Sequence, residues 1–145
     1  PSNYANTVTD VDFKAINASV FTPDGQEIEL GTGTSVSMPN QSSRIARGTP
    51  IIIHFNEVPS LSTFALDAEI ELATQADFSS GSIALGDGSL TTVGIYGTQI
   101  KIQLGANLTA STPYYLRVGA TVGGTNEGGK ALTTTVTYFN SFTTA

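Results

Sequence analysis

Apolar and polar residues alternate along much of this chain, and no stretch of ten or more residues places apolar side chains at the i, i+3, i+4 and i+7 spacing of a helix. In the segment 99–104, three apolar residues share one face of a strand and three polar residues occupy the other. The segment 68–72 repeats the pattern and predicts that Glu69 and Glu71 both point to solvent. The sequence therefore predicts an all-β protein.

Turn residues separate the alternating segments, in which Thr, Val, Ile, Tyr and Phe dominate. Pro23-Asp24-Gly25 joins the fixed φ of Pro to the positive φ that Gly tolerates, so it predicts a tight hairpin turn. Antiparallel strands with one solvated face bury the other against a second sheet, which predicts a β-sandwich. We predict about eleven short strands, at residues 7–13, 15–21, 27–30, 34–38, 50–56, 68–73, 82–85, 91–96, 99–104, 114–122 and 132–143.

The composition narrows the chemistry that this chain can perform. Its 145 residues suit one domain with one core. Charged residues make up only 12% of the chain, whereas Ser and Thr together supply 35 residues, so hydroxyl groups cover much of the surface. The absence of Cys excludes disulfides, thiolate metal sites and cysteine nucleophiles, and a single His excludes multi-histidine zinc sites. We expect no metal and no cofactor.

The charge pattern excludes two classes of partner. The formal net charge is -6, and the six basic residues are scattered singly, so they cannot form the positive stripe that binds a phosphate backbone. No apolar run approaches the roughly 20 residues that span a bilayer, so we expect neither a nucleic-acid partner nor direct membrane insertion. The basic residues are Lys14, Arg44, Arg47, Lys101, Arg117 and Lys130.

Four segments carry a resemblance to a known family. They read Ser-Val-Ser-Met-Pro at 35–39, Gly-Thr-Pro-Ile-Ile-Ile-His-Phe-Asn-Glu at 48–57, Leu-Thr-Ala-Ser-Thr-Pro-Tyr-Tyr-Leu-Arg-Val at 108–118, and Phe-Thr-Thr at 142–144. In this order they resemble the bacterial Ig-like domains of S-layer proteins and large surface adhesins. The resemblance implies an Ig-like antiparallel β-sandwich over residues 34–145. Residues 1–33 have no counterpart in the family and are predicted to be an N-terminal arm and β-hairpin extension.

No residue is predicted to be catalytic. His54 is the only His, and its sequence neighbours are apolar, so we interpret it as a structural residue rather than a general base. Glu69 and Glu71 share one face of a predicted strand, which does not suit the two unequal carboxyl groups of a glycoside hydrolase. Tyr114 and Tyr115 are predicted to point to opposite faces of their strand, and a buried Tyr in such a sandwich often bonds its hydroxyl to a loop backbone.

One covalent modification is a further hypothesis from the sequence. Some surface-protein Ig-like domains resemble this chain in having a Lys on an early strand, an Asn on the last strand and an acid between them, which together form a spontaneous isopeptide bond. Lys14 and Asn140 occupy the early and last positions here, and Glu69 lies between them, with Glu71 as the alternative acid. The reaction requires a buried Lys with a lowered pKa beside a protonated acid. The three residues are therefore a candidate cross-link.

These features together favour a non-enzymatic structural protein. Pro1-Ser2 is the start that removal of an initiator Met would leave, and the N-terminal residues show no signal-peptide pattern. We therefore expect a structural protein of a bacteriophage virion, either a capsid decoration or tail-associated protein. It would dock on other virion subunits by surface burial, with residues 1–12 pairing with an exposed strand edge. A homo-oligomer is a further option. The alternative is an Ig-like module of a bacterial S-layer, adhesin or surface filament, located on the cell surface.

Overall fold

The computed structural model describes residues 12–33, 40–119 and 123–145. In that part of the chain there are fourteen strands and no α-helix, and three short 3-10 turns lie at Leu61–Thr63, Leu85–Asp87 and Ile95–Gly97. The predicted strand 34–38 and all but the end of the predicted strand 7–13 lie outside the described residues. The strands are β1 (Ala15–Phe21), β2 (Glu27–Glu29), β3 (Thr32–Gly33), β4 (Asn40–Ile45), β5 (Ile51–Phe55), β6 (Pro59–Ser60), β7 (Ile70–Ala73), β8 (Ser82–Ile83), β9 (Ser89–Val93), β10 (Gln99–Gln103), β11 (Pro113–Val118), β12 (Thr125–Asn126), β13 (Thr137–Phe139) and β14 (Ser141–Thr144).

Five antiparallel strands form the first sheet, in the order β2-β1-β5-β10-β9. β1 and β2 make the predicted hairpin, in which Gly25 has a φ of +88° and donates its N–H to the carbonyl of Thr22 at 2.9 Å. β1 also pairs with β5, since Ser19 lies opposite Ile52. The additional N-terminal strand pair predicted from the sequence is therefore one side of this sheet.

β11 lies at the centre of the second sheet, with β7 on one side and β13 and β14 on the other. β8 continues the sheet beyond β7, and β3 and β4 continue it beyond β13 and β14. β4 runs parallel to β14, whereas the other pairs of named strands in the described residues are antiparallel. The predicted strand 132–143 is wrong in its extent, because β13 and β14 are separated at Asn140. The side-chain Nδ2 of Asn140 donates to the carbonyl of Leu30 at 2.6 Å.

The two sheets enclose one apolar core. Ile53 and Ile100 point into it from the first sheet, and Leu116 and Phe142 from the second. Burial of a side chain of this size contributes roughly 1.5–3 kcal/mol, so the contact between the sheets is the main source of stability. The predicted all-β, Ig-like antiparallel sandwich is confirmed. The buried apolar residues are Phe13, Ala15, Ala18, Val20, Leu30, Ile45, Ile51, Ile53, Phe55, Ile70, Leu72, Leu85, Ile100, Ile102, Leu108, Tyr114, Leu116, Val118, Leu132, Phe139 and Phe142.

Candidate functional site

The outer face of the first sheet brings together a hydroxyl, an imidazole and a carboxylate. Ser19 on β1 donates its hydroxyl to Oε2 of Glu27 on β2, at 2.6 Å. Nε2 of His54 on β5 lies 3.0 Å from Oγ of Ser19, and Nε2 of Gln99 on β10 lies 3.4 Å from Nδ1 of His54. Alternation along each strand places these side chains on the same face. A polar network thus crosses four neighbouring strands.

The order of groups in this network differs from that of a catalytic triad. In a triad the His accepts the proton of the Ser, and the acid orients the His. Here the proton of Ser19 goes to Glu27, so Oγ accepts a hydrogen from Nε2 of His54, and Nδ1 of His54 accepts one from Gln99. Ser19 is fully buried at 0% exposure. The arrangement joins neighbouring strands of the sheet and leaves the hydroxyl of Ser19 buried.

Glu69 corrects the predicted orientation of the two carboxylates in the segment 68–72. The sequence predicts that both point to solvent, yet Glu69 is fully buried. The chain turns immediately before β7, because the N–H groups of Ala68 and Glu69 both donate to the carbonyl of Ala65. The alternation therefore begins only at Ile70, and Glu69 precedes it.

The buried carboxylate of Glu69 accepts hydrogen bonds from two backbone N–H groups. Ala65 donates to Oε1 at 2.8 Å, and Gly124 donates to Oε2. In addition, the N–H of Gly119 donates to the carbonyl of Glu69 at 2.7 Å. Backbone donors stabilise a buried carboxylate by satisfying its oxygen atoms. Glu69 therefore joins the turn before β7 to the chain on either side of residues 120–122.

The segment after Gly124 is also tied to the sandwich. Thr125 and Asn126 form β12 and pair with β6. The side chain of Asn126 donates to Oε1 of Glu57 at 2.7 Å and accepts from the N–H of Lys130 at 2.8 Å. A Cβ on Gly124 would come within 2.8 Å of the Phe64 ring, so only Gly fits without a shift. The glycines here permit close packing as well as turns.

Glu71 lies on the outer face of the second sheet, where it forms an ion pair with Arg117. Oε1 of Glu71 lies 2.8 Å from Nε of Arg117, and the guanidinium lies 4.2 Å from the ring centroid of Phe78. Partial burial lowers the pKa of Arg117, but the hydrogen bond and charge of Glu71, with a smaller contribution from Tyr138, raise it above its usual value. This cluster is a packed cation–π contact whose charges are already paired.

The three residues of the candidate cross-link have separate partners. The Lys14 side chain is exposed, and its backbone N–H donates to Oδ1 of Asn56. The amide of Asn140 donates to Leu30, and the carboxylate of Glu69 accepts from the backbone. Among the described residues, no hydrogen bond joins any of the three to another. The isopeptide bond stays a prediction, and the loss of one ammonia from the intact mass would reveal it.

Among the described residues, the most exposed of the large apolar side chains lie at the tip between β9 and β10. Ile95 is 76% exposed and Tyr96 is 87% exposed. Tyr96 has a φ of +60°, and the turn around it is closed by N–H bonds from Gly97 to Gly94 and from Thr98 to Ile95. The sequence missed this feature because it predicts a strand that continues through residue 96.

A surface cavity of about 380 Å³ is an open depression beside β1, and its lining includes Lys14, Ile16 and Thr135. No group of three or more His, Cys, Asp and Glu in the described residues is placed to hold a metal ion. The described chain also contains no helix that is long and apolar enough to cross a membrane.

Comparison with known proteins identifies the family. A model of the bacterial Ig-like domain matches residues 31–144, which is well over half of the chain. A search of curated proteins finds no significant match, and neither does a search of solved structures. Domains of this family are surface or structural modules and are generally not enzymes. On the family match and the two-sheet architecture, this chain belongs to the bacterial Ig-like domains.

Proposed function

We propose that this chain is a non-catalytic structural module that docks on neighbouring subunits of an extracellular assembly by surface burial and by strand-edge pairing. The observation that carries the proposal is the closed network of Ser19, His54 and Glu27 in a bacterial Ig-like domain. The hydroxyl of Ser19 donates its proton to Glu27 instead of to His54, and Ser19 is fully buried, so this network does not supply an activated nucleophile. A partner would therefore contact the exposed surface of the domain.

The exposed side chains of the described residues suit contact with another protein. Ile95 and Tyr96 stand out from a closed turn, and exposed apolar side chains with a fixed backbone bind with little loss of conformational entropy. The low content of charged residues leaves the rest of the surface rich in hydroxyl groups. Extended partner segments pair with exposed sheet edges through backbone hydrogen bonds.

Two settings are consistent with such docking, and we place the bacterial cell surface first. The family match supports an S-layer, adhesin or surface filament, since domains of this family are typically surface-associated. The bacteriophage virion, as a capsid decoration or tail-associated protein, is the second setting. The virion setting is supported by the same fold and by the absence of Cys. A chain without Cys assembles without disulfide bonds.

Immunogold labelling with antibodies raised against the folded chain tests this proposal. Antibodies are applied to intact cells and to purified phage particles from the organism that encodes the chain. We expect label on the exterior of one of the two, and the labelled object distinguishes the settings. Label confined to the cytoplasm of sectioned cells would overturn the proposal. Deletion of residues 1–11 tests the arm, because loss of label from otherwise intact particles or cells is expected only if the arm contributes to docking.

A further inference from the structure

β9 is the outermost described strand on its side of the first sheet. All five of its residues pair with β10, from Ser89 opposite Gln103 to Val93 opposite Gln99. No described strand lies on its other side, so half of its backbone N–H and C=O groups face outward along an open edge. Such an edge is a template for another strand.

The residues of β9 do not protect this edge. Natural edge strands are blocked by charged side chains, by Pro or by being very short. The opposite edge of the sheet, β2, has three residues, of which two are Glu. β9 reads Ser-Leu-Thr-Thr-Val, and the sequence from Ser89 to Gln99 contains no charged residue and no Pro. The two edges of the sheet therefore differ in their capacity to pair.

We infer that β9 pairs antiparallel with β9 of a second copy of this chain, about a twofold axis at Thr91. The inference deepens the proposed function, since it names the partner of one docking surface. In this register Thr91 lies opposite Thr91 of the second copy, Leu90 opposite Thr92, and Ser89 opposite Val93. Thr–Thr pairs are favourable across strands, and no like charges meet. The two first sheets become one continuous ten-stranded sheet, with β2 at both ends.

The same register explains the exposed tip. Ile95 and Tyr96 follow Val93 by two and three residues, so the tip extends toward the Leu85–Asp87 turn of the second copy, which precedes Ser89. Asp87 in that turn is exposed and carries a negative charge. A Tyr hydroxyl is a good donor to a carboxylate. The hydroxyl of Tyr96 thus meets a hydrogen-bond acceptor in the second copy.

The size of the proposed interface determines the protein concentrations at which the dimer should be measured. A five-residue strand pair with two tip contacts is smaller than a standard interface of about 1,600 Å². We therefore expect dissociation constants of roughly 10 µM to 1 mM, a weak association that concentration on a surface would strengthen. Sedimentation equilibrium of the full chain over that range of concentrations is the suitable measurement.

Introduction of a charge at Thr91, on the proposed twofold axis, tests the inference. Thr91 is exposed and lies opposite Lys101 within its own sheet, so Thr91→Glu adds a favourable pair inside the chain but a repulsive pair across the axis. We expect Thr91→Glu to weaken association by about tenfold or more and Thr91→Lys to do the same. A mixture of the two variants should associate at least as well as the unaltered chain. Ile16→Ser, at an exposed apolar residue on β1 away from this edge, is the matched control and should leave association unchanged.

The outcomes separate this inference from the proposed function. Rescue in the mixture supports the β9 twofold pair, because only a self-pair centred on Thr91 brings the two new charges together. A chain that is monomeric at all concentrations, or a dimer that Thr91→Glu does not weaken, would overturn the inference. Surface labelling of cells or particles would still stand in that case, and the docking partner would then be a different subunit.

Discussion

The backbone N–H of Gly124 donates to the carboxylate of Glu69, and that side chain has no exposure to solvent. The two residues are 55 positions apart, so this contact joins parts of the chain that are distant in sequence. A buried carboxylate depends on the hydrogen-bond donors that contact it. The contribution of this contact to the free energy of unfolding can be measured.

Replacement of Glu69 should destabilise the fold. In Glu69→Gln, the amide NH₂ group faces one of the two backbone N–H donors, so one buried donor loses its acceptor. We expect a loss of about 1–3 kcal/mol in the free energy of unfolding, measured by urea denaturation. Glu71→Gln, which removes a partly exposed ion pair, should cost about 1 kcal/mol or less. Equal losses in the two variants would contradict the role assigned to Glu69.

A methyl group at position 124 should also destabilise the protein. The added Cβ of Gly124→Ala would lie 2.8 Å from an atom of the Phe64 ring, so the ring or the loop must move. We expect a cost of about 1–3 kcal/mol by thermal or urea unfolding. The control is Gly128→Ala, whose Cβ would meet Oδ1 of Asn126 at an ordinary 3.5 Å. A control as unstable as Gly124→Ala would contradict the steric explanation.

The buried hydroxyl of Tyr114 should contribute measurably to stability. It accepts a hydrogen bond from the N–H of Thr109 at 2.8 Å, and the ring stacks on Phe142 with a centroid distance of 5.7 Å. Tyr114→Phe keeps the ring but leaves the Thr109 N–H without its acceptor, so we expect a loss of about 1–2 kcal/mol. Tyr115→Phe, at the partly exposed neighbour, should cost clearly less. Identical denaturation midpoints for the two variants would disprove the difference.

Ser19 should not react as a nucleophile. Because its proton is given to Glu27 and its Oγ is buried, we expect no covalent labelling by a fluorophosphonate probe, as judged by intact mass. Ser19→Ala serves as the matched control and should unfold about 0.5–1.5 kcal/mol more easily, since it removes the centre of the network. Labelling that is present in the unaltered chain and absent in Ser19→Ala would establish a reactive site and refute the structural interpretation.

Local sequence patterns predicted well the strands and turns that depend on residues close together in the sequence. The strand predicted at 15–21 coincides with β1, and the turn at Gly25 closes the predicted hairpin, because alternation and turn chemistry act over a few residues. The polar network was not predicted. Ser19 and His54 are 35 residues apart, and only the register between β1 and β5 brings them together.

Two failures have different physical causes. Glu69 was assigned to the surface because the predicted alternation begins at residue 68, two residues before β7, in a turn that changes the direction of the side chain. The tip at Tyr96 was assigned to a strand because Ile and Tyr favour strands. The positive φ of Tyr96 is uncommon for a residue other than Gly, so propensity does not anticipate it.

The position of the β1–β2 hairpin bears on how this protein is produced in the laboratory. The family match begins at residue 31, yet Ala18 and Val20 of β1 are buried in the common core and β1 covers one edge of β5. An expression clone trimmed to the family boundary would lose those two side chains and uncover a row of backbone donors and acceptors on an apolar strand. We expect such a truncated product to be recovered in inclusion bodies, whereas a clone that starts at or before residue 12 retains a complete sheet.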